Sequence, residues 1–328
     1  MDYVEASDGK LLSKSWTSHQ RDQRRRANFL GDLSRVMLSM AQFSFPRIGS
    51  MTIDKDGFLR LTNRPLTFRI QQLENKGVPT GVGRSDTYSS VDAYFSDLLS
   101  CHDRRINYQA NSIRDQSDGE KQLSVLSAMR ALLPHFISRD LRHGPFIFTL
   151  MDVHPNNVFV DDDWHIKCLI DLEWACVRPI EMVLPPVWLT GRRVDELPNG
   201  SHLEAYTLIL EEFFDSFSKM ESLLRSKNSD SLLSTQLVRR SWDSGSFWYF
   251  HALDNPKVVQ NLFFQHIQCI FMRSRDHARM AQLVNILAPL WGRYAQSTIS
   301  LKLTHLEAYE KKLREFFDQQ AVQQSSII

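Results

Sequence analysis

Between Phe146 and Ala175 the chain packs three short β-prone runs into about thirty residues. The runs are Phe146-Ile147-Phe148-Thr149-Leu150, Val158-Phe159-Val160 and Ile166 to Ile170, rich in β-branched and aromatic residues. Asp161-Asp162-Asp163 separates the second run from the third and reads as a solvated hairpin turn, because such turns favour Asp. Most of the remaining sequence carries three- and four-residue apolar spacing. The expected fold class is therefore α+β and predominantly helical, with a small β-hairpin segment set into it.

That segment also carries the chemistry. Asp152 is followed five residues later by Asn157, and Asp171 stands beyond the hairpin. Phosphoryl transfer needs such a set. One carboxylate accepts or orients the attacking hydroxyl, while an amide oxygen and a second carboxylate hold Mg²⁺ against nucleotide phosphates. A hairpin between the two ends brings them to one place, so Asp152, Asn157 and Asp171 are expected to converge. Glu173 is a further candidate ligand. His154 is expected to hydrogen-bond within the loop rather than to act in the chemistry.

The pattern Asp152-x-x-x-x-Asn157, followed by Ile170-Asp171-x-Glu173-Trp174-Ala175, resembles the aminoglycoside phosphotransferase and choline kinase group, within the protein-kinase-like fold. The wording from Asp152 through Pro185-Pro186-Val187-Trp188-Leu189-Thr190 is similar to fungal aminoglycoside phosphotransferase-like proteins. The resemblance implies Asp152 as catalytic base, with Asn157, Asp171 and Glu173 as metal ligands. Mg²⁺ and ATP would be cofactor and co-substrate, and a small-molecule hydroxyl the acceptor. Leu150 departs from the pattern, because the family usually has His two residues before the catalytic Asp. The first residues, Met1-Asp2-Tyr3-Val4-Glu5 to Asp8-Gly9, resemble the hinge between the two lobes of such folds. Under that resemblance Tyr3 and Glu5 are the nucleotide-binding candidates and the N-lobe is mostly absent. Residues 1–12 are then a hinge-like remnant and 13–320 the C-terminal lobe. That lobe holds the catalytic segment 146–175 and a helical, substrate-side subdomain over about 200–320. Residues 321–328 form a frayed tail.

Elsewhere the spacing predicts helices over Ser18 to Gln42, about 90–106, about 119–138, from Ser201, from Asn255-Pro256, about 276–294 and about 303–319. Ser89 with Asp92 and Ser201 with Glu204 read as capping boxes. Asn107 to Asp118 reads as an exposed loop. Ile48 to Leu61 reads as a hairpin turning at Asp54-Lys55-Asp56-Gly57. The glycines of Gly77 to Gly83 do not fit a phosphate-cradling loop, since no Lys-Ser/Thr follows.

The formal net charge of +1, from 39 Lys+Arg against 38 Asp+Glu, argues against a dedicated nucleic-acid binder. No run is long and apolar enough to span a membrane. Four scattered cysteines form no CxxC pair, which suits a reduced, cytoplasmic protein. The leading reading is an ATP-dependent small-molecule phosphotransferase. The alternative is a catalytically inactive, pseudokinase-like binding or scaffold protein, motivated by the missing nucleotide-covering lobe.

Overall fold

The computed structural model describes residues 9–198, 200–226, 231–272 and 277–325. The hinge-like residues before Gly9, Tyr3 and Glu5 among them, lie outside this set, as do the last three residues of the tail. The described chain is predominantly helical, with three small antiparallel sheets, as the hydrophobic spacing implies.

Strands β1 (Lys10–Leu11), β2 (Ser50–Ile53), β3 (Leu59–Asn63), β4 (Phe146–Leu150), β5 (Val158–Val160), β6 (Ile166–Leu169) and β7 (Ala175–Pro179) form these sheets. The first has the order β1-β5-β6, and the others are the pairs β2-β3 and β4-β7. The β5-β6 hairpin turns as expected, with Asp161 Oδ1 accepting the backbone N–H groups of Asp163 and His165 at 3.1 and 2.9 Å. Asp54 closes the β2-β3 turn in the same way, accepting from Asp56 and Phe58 at 2.9 Å each. Sequence spacing did not reveal β7, which pairs Ala175 with Leu150 and Pro179 with Phe146. Gly49 exchanges backbone hydrogen bonds with Val177 at 3.1 and 2.8 Å and so ties the β2-β3 hairpin to β7. A Cβ at Gly49 would stand 2.7 Å from the Asn63 carbonyl oxygen, so only glycine permits this approach.

The helices are α1 (Ser13–His19), α2 (Gln23–Met40), α3 (Phe68–Asn75), α4 (Val91–Tyr108), α5 (Gln116–Phe136), α6 (Gly200–Ser226), α7 (Thr235–Asp243), α8 (Ser246–Asp254), α9 (Val259–Leu262), α10 (Gln268–Phe271), α11 (His277–Leu287) and α12 (Ala295–Ser325). Helices α2 and α6 pack on each other through Leu30, Leu33, Leu210, Phe213 and Phe217, all in the main core. The apolar face of the helix expected from Ser201 is therefore core. A second, smaller core joins α4, α5 and α12 through Ile106, Leu123 and Ile299.

Several expected boundaries move, each for a local reason. The helix expected from Ser18 is two helices, because the Asp22 side chain caps α2 by accepting from Arg24 and Arg25 N–H at 3.1 and 3.2 Å. No capping box starts α4. Its cap, Ser90, makes no side-chain bond, Val91 N–H goes to the Arg142 carbonyl, and Asp92 pairs with Arg142 at 3.0 Å. The stretch after Asn107 is not an exposed loop throughout, since Ser112, Ile113 and Asp118 are buried. Asn255 Oδ1 accepts the Lys257 N–H, and this turn delays the next helix to Val259. Pro289 breaks the predicted 276–294 helix, and α12 starts at Ala295, earlier than expected.

Burial sets an opposed pair of pH effects. Burial holds His102 and His251 down to about 4, so both are neutral in the fold. Below about pH 6.5 the unfolded chain takes up protons there that the folded chain refuses. Their stabilisation is thus present above pH 6.5 and is lost as pH falls toward 4. Glu181 behaves oppositely. Burial first, against the Ser138 N–H bond and Arg240, raises it to about 7. Its cost to stability grows as pH rises from about 4.5 to 7, because the unfolded chain has already released the proton. Glu181→Gln is therefore expected to stabilise by about 1–2 kcal/mol at pH 8, discounted for partial exposure, and by nothing at pH 4. Thermal melts of both proteins across this range check the sign.

Candidate active site

The loop from Met151 to Asn157 joins β4 to β5, and Ile170 to Trp174 joins β6 to β7. Asn157 couples the two. Its backbone carbonyl accepts the Ile170 N–H at 3.0 Å, one residue before Asp171. Its side-chain Nδ2 donates to the Asp152 carbonyl oxygen at 3.0 Å and to Asp152 Oδ2 at 3.2 Å. Both amide protons are turned toward Asp152, and among the described residues no hydrogen-bond donor is directed at Asn157 Oδ1. Asn157 is itself buried.

The His154 ring stands beside Asp152 and is fixed by the loop itself. Its Nδ1 accepts the Asn156 backbone N–H at 3.2 Å, so the ring proton sits on Nε2, 3.6 Å from Asp152 Oδ1. This is the structural role expected of it. Two distant groups pin the loop: Ser13 N–H donates to the Pro155 carbonyl at 3.0 Å, and the Trp188 indole N–H to the Val153 carbonyl at 2.6 Å. Trp188 packs edge-on against Trp16 at 5.5 Å, anchoring the loop to the core.

Asp171 is left-handed, with φ 56° and ψ 51°, one of two described non-glycine residues at positive φ. Such a conformation is tolerated by Asp but marks a constrained turn. Its carboxylate is exposed and has no hydrogen-bond or ion-pair partner among the described residues. Asp152, Asn157 and Asp171 line one small cleft with Met151, Ile170 and Trp174. The expected convergence of the three is thus met. Glu173 is exposed and does not line this cleft, and Tyr3 and Glu5 lie outside the described residues.

Asp152 also lines a second, larger cleft of about 1030 Å³, close to the upper end of the size range of small-molecule sites. Its walls come from α2, β4, the start of α3, residues 182–195 and residues 251–258, and neither Asn157 nor Asp171 reaches it. Asp152 is the carboxylate shared by the two spaces.

Beneath this cleft, on β7, lies an ion pair that sequence reading missed. Arg178, 3% exposed, places Nη2 at 2.6 and 2.7 Å from the two carboxylate oxygens of Asp254. A charged residue inside the apolar run Ala175-Cys176-Val177-Arg178-Pro179-Ile180 could have signalled a buried pair, although not its partner.

As a cation site the small cleft is lined by two residues with carboxylates, Asp152 and Asp171, and by Asn157, whose amide oxygen accepts from no donor among the described residues. Among the described residues no three His, Cys, Asp or Glu side chains gather to hold a metal. That set suits Mg²⁺, which is ordinarily held by one or two carboxylates and completed by water and phosphate oxygens. It does not suit a metal caged by protein alone.

Residues 4–210, more than half of the chain, match the phosphotransferase enzyme family (APH), and the chain belongs to that family. Comparisons with curated proteins and with solved structures return no match. Among the described residues no helix is long and apolar enough to cross a membrane.

Proposed function

We propose that the chain transfers the γ-phosphoryl group of ATP to a hydroxyl of a small molecule. The observation carrying this reading is the meeting of Asp152, Asn157 and Asp171 in one small cleft beside a larger one. Asn157 Oδ1 and the Asp171 carboxylate are the proposed Mg²⁺ ligands, with Glu173 left to the surface. Mg²⁺, when bound, would supply charge neutralisation at the phosphate oxygens. Tyr3 and Glu5 remain the nucleotide-binding candidates, from the resemblance of their segment to a hinge. In the same reading residues 146–175 are the catalytic segment, and the likeness of residues 152–190 to fungal aminoglycoside phosphotransferase-like proteins suggests the branch.

Asp152 does the positioning and the proton work. The acceptor hydroxyl approaches from the larger cleft and hydrogen-bonds to the Asp152 carboxylate. The bond from Asn157 Nδ2 orients that carboxylate, with the His154 ring beside it. As the oxygen attacks, its proton passes to Asp152 while the bond to the nucleotide leaving oxygen breaks. Most of the rate then comes from alignment and from the charges already in place.

Asp171→Asn tests the metal assignment. It keeps the shape of a side chain with no hydrogen-bond or ion-pair partner among the described residues, so the fold is expected to persist. Replacing groups that only support a ligand costs metal sites about 10–100-fold in affinity, so losing a ligand charge is expected to cost at least about tenfold. The measurement is calorimetric titration of ATP with and without Mg²⁺. Unchanged Mg²⁺ dependence in the variant would remove Asp171 from the ligand set.

A further inference from the structure

The charges of the larger cleft are unevenly matched. Asp254 is taken by Arg178, and Asp195 by Arg193, whose Nε reaches it at 3.0 Å. Arg69, Arg192 and Lys257 also line the cleft, and none has a carboxylate ion-pair partner among the described residues. Arg69 donates to Gln72 Oε1 at 2.9 Å and lies 5.6 Å from the Phe68 ring centroid. Three cations thus line the cleft together with the remaining carboxylate, Asp152, and Arg69 lies near enough to feel its charge. Crowding supports the same picture: Lys76 first, then burial, Arg69 and Arg193 lower the Lys257 ammonium below its ordinary value. Burial lowers Arg69 as well, with Asp254 and Asp152 only partly compensating.

These cations lie on the acceptor side. The cleft they line excludes Asn157 and Asp171, and the small cleft of that pair excludes them. We propose that the acceptor is a hydroxyl compound bearing an anionic group, a carboxylate or phosphate, held by Arg69, Arg192 and Lys257 while its hydroxyl faces Asp152. This rests on the transferase reading for the role of Asp152. A polycationic acceptor is disfavoured, because it would meet unneutralised like charge on entry.

Binding without turnover tests the proposal apart from the enzymatic reading. Glycerol 3-phosphate, glycerol and choline are titrated calorimetrically, at low salt and without nucleotide, into the full chain. The expected result is glycerol 3-phosphate binding at least about tenfold more tightly than glycerol or choline. The preference should fall at least about tenfold in Arg69→Gln/Lys257→Gln and survive in Asp171→Asn. Because Arg192 and Lys257 are exposed, Arg192→Gln and Lys257→Gln singly provide folded variants should the double variant fail to fold. Equal binding of the three probes, preference for choline, or full retention of the preference in the cation variants would overturn the proposal. So would cation variants that lose Mg²⁺-ATP binding while keeping that of glycerol 3-phosphate, since the cations would then serve the nucleotide. Loss of turnover with the preference intact would count against the enzymatic reading alone.

Discussion

Replacing Asp152 by asparagine is expected to lower phosphoryl transfer by about 10²–10⁴-fold, the range over which a positioned general base contributes. Asparagine keeps the size of the side chain and can still accept a hydrogen bond, but it cannot take the hydroxyl proton. The Asp152 side chain is about one-third exposed (33%), so little core packing is at stake. The Asn157 bond to the Asp152 main-chain oxygen does not depend on the substituted group. Mg²⁺-dependent ATP binding should therefore persist in the variant. The measurement is γ-phosphoryl transfer from ATP, to water or to a hydroxyl acceptor, beside ATP binding by calorimetry. Equal turnover of variant and parent would dismiss Asp152 as the base, and joint loss of binding and folding would make it structural.

The largest loss of stability is expected from Arg178→Met. The Arg178 side chain is almost fully buried and that of Asp254 is 23% exposed. Removing the cation strands the carboxylate at the floor of the cleft. Breaking a buried pair from one side costs about 3–5 kcal/mol, because a desolvated charge is left without its partner. Replacing both residues, Arg178→Met with Asp254→Leu, should recover most of the loss, since the stranded charge is gone. Urea denaturation of the four proteins in this cycle gives the coupling. Additive losses would mean that the pair contributes little beyond its separate contacts. The substitution also reaches the site: β7 is the continuation of the Asp171 turn, and its Val177 holds Gly49.

How much of this could be read in the sequence depended on distance along the chain. The segment from Phe146 to Ala175 was legible because its information is local: short β-prone runs, an Asp-rich turn and three polar residues at fixed offsets. The helix from Ser201 was legible for the same reason, the spacing of Tyr206, Leu210, Phe213 and Phe217 matching one helical face. Boundaries were less so, since competing local bonds decide them. Asp22 caps a helix that apolar spacing alone runs straight through, and Asn255 folds its bond into a turn instead of starting a helix. Pairings across the chain were not legible. Arg178 and Asp254 are 76 residues apart, and the Val153 carbonyl finds Trp188 35 residues away. Nothing in the spacing of either residue names its partner. The two clefts on either side of Asp152 are likewise a product of tertiary packing, and with them the sorting of metal side from acceptor side.

The most direct test is titration of ATP into the full chain with Mg²⁺, with EDTA, and with Mg²⁺ after Asp171→Asn. The result expected is binding that requires the ion, falls at least about tenfold in the variant, and survives in Asp152→Asn. Binding of equal strength in all four cases, or no binding in any, would contradict a phosphoryl-transfer site built from Asp152, Asn157 and Asp171.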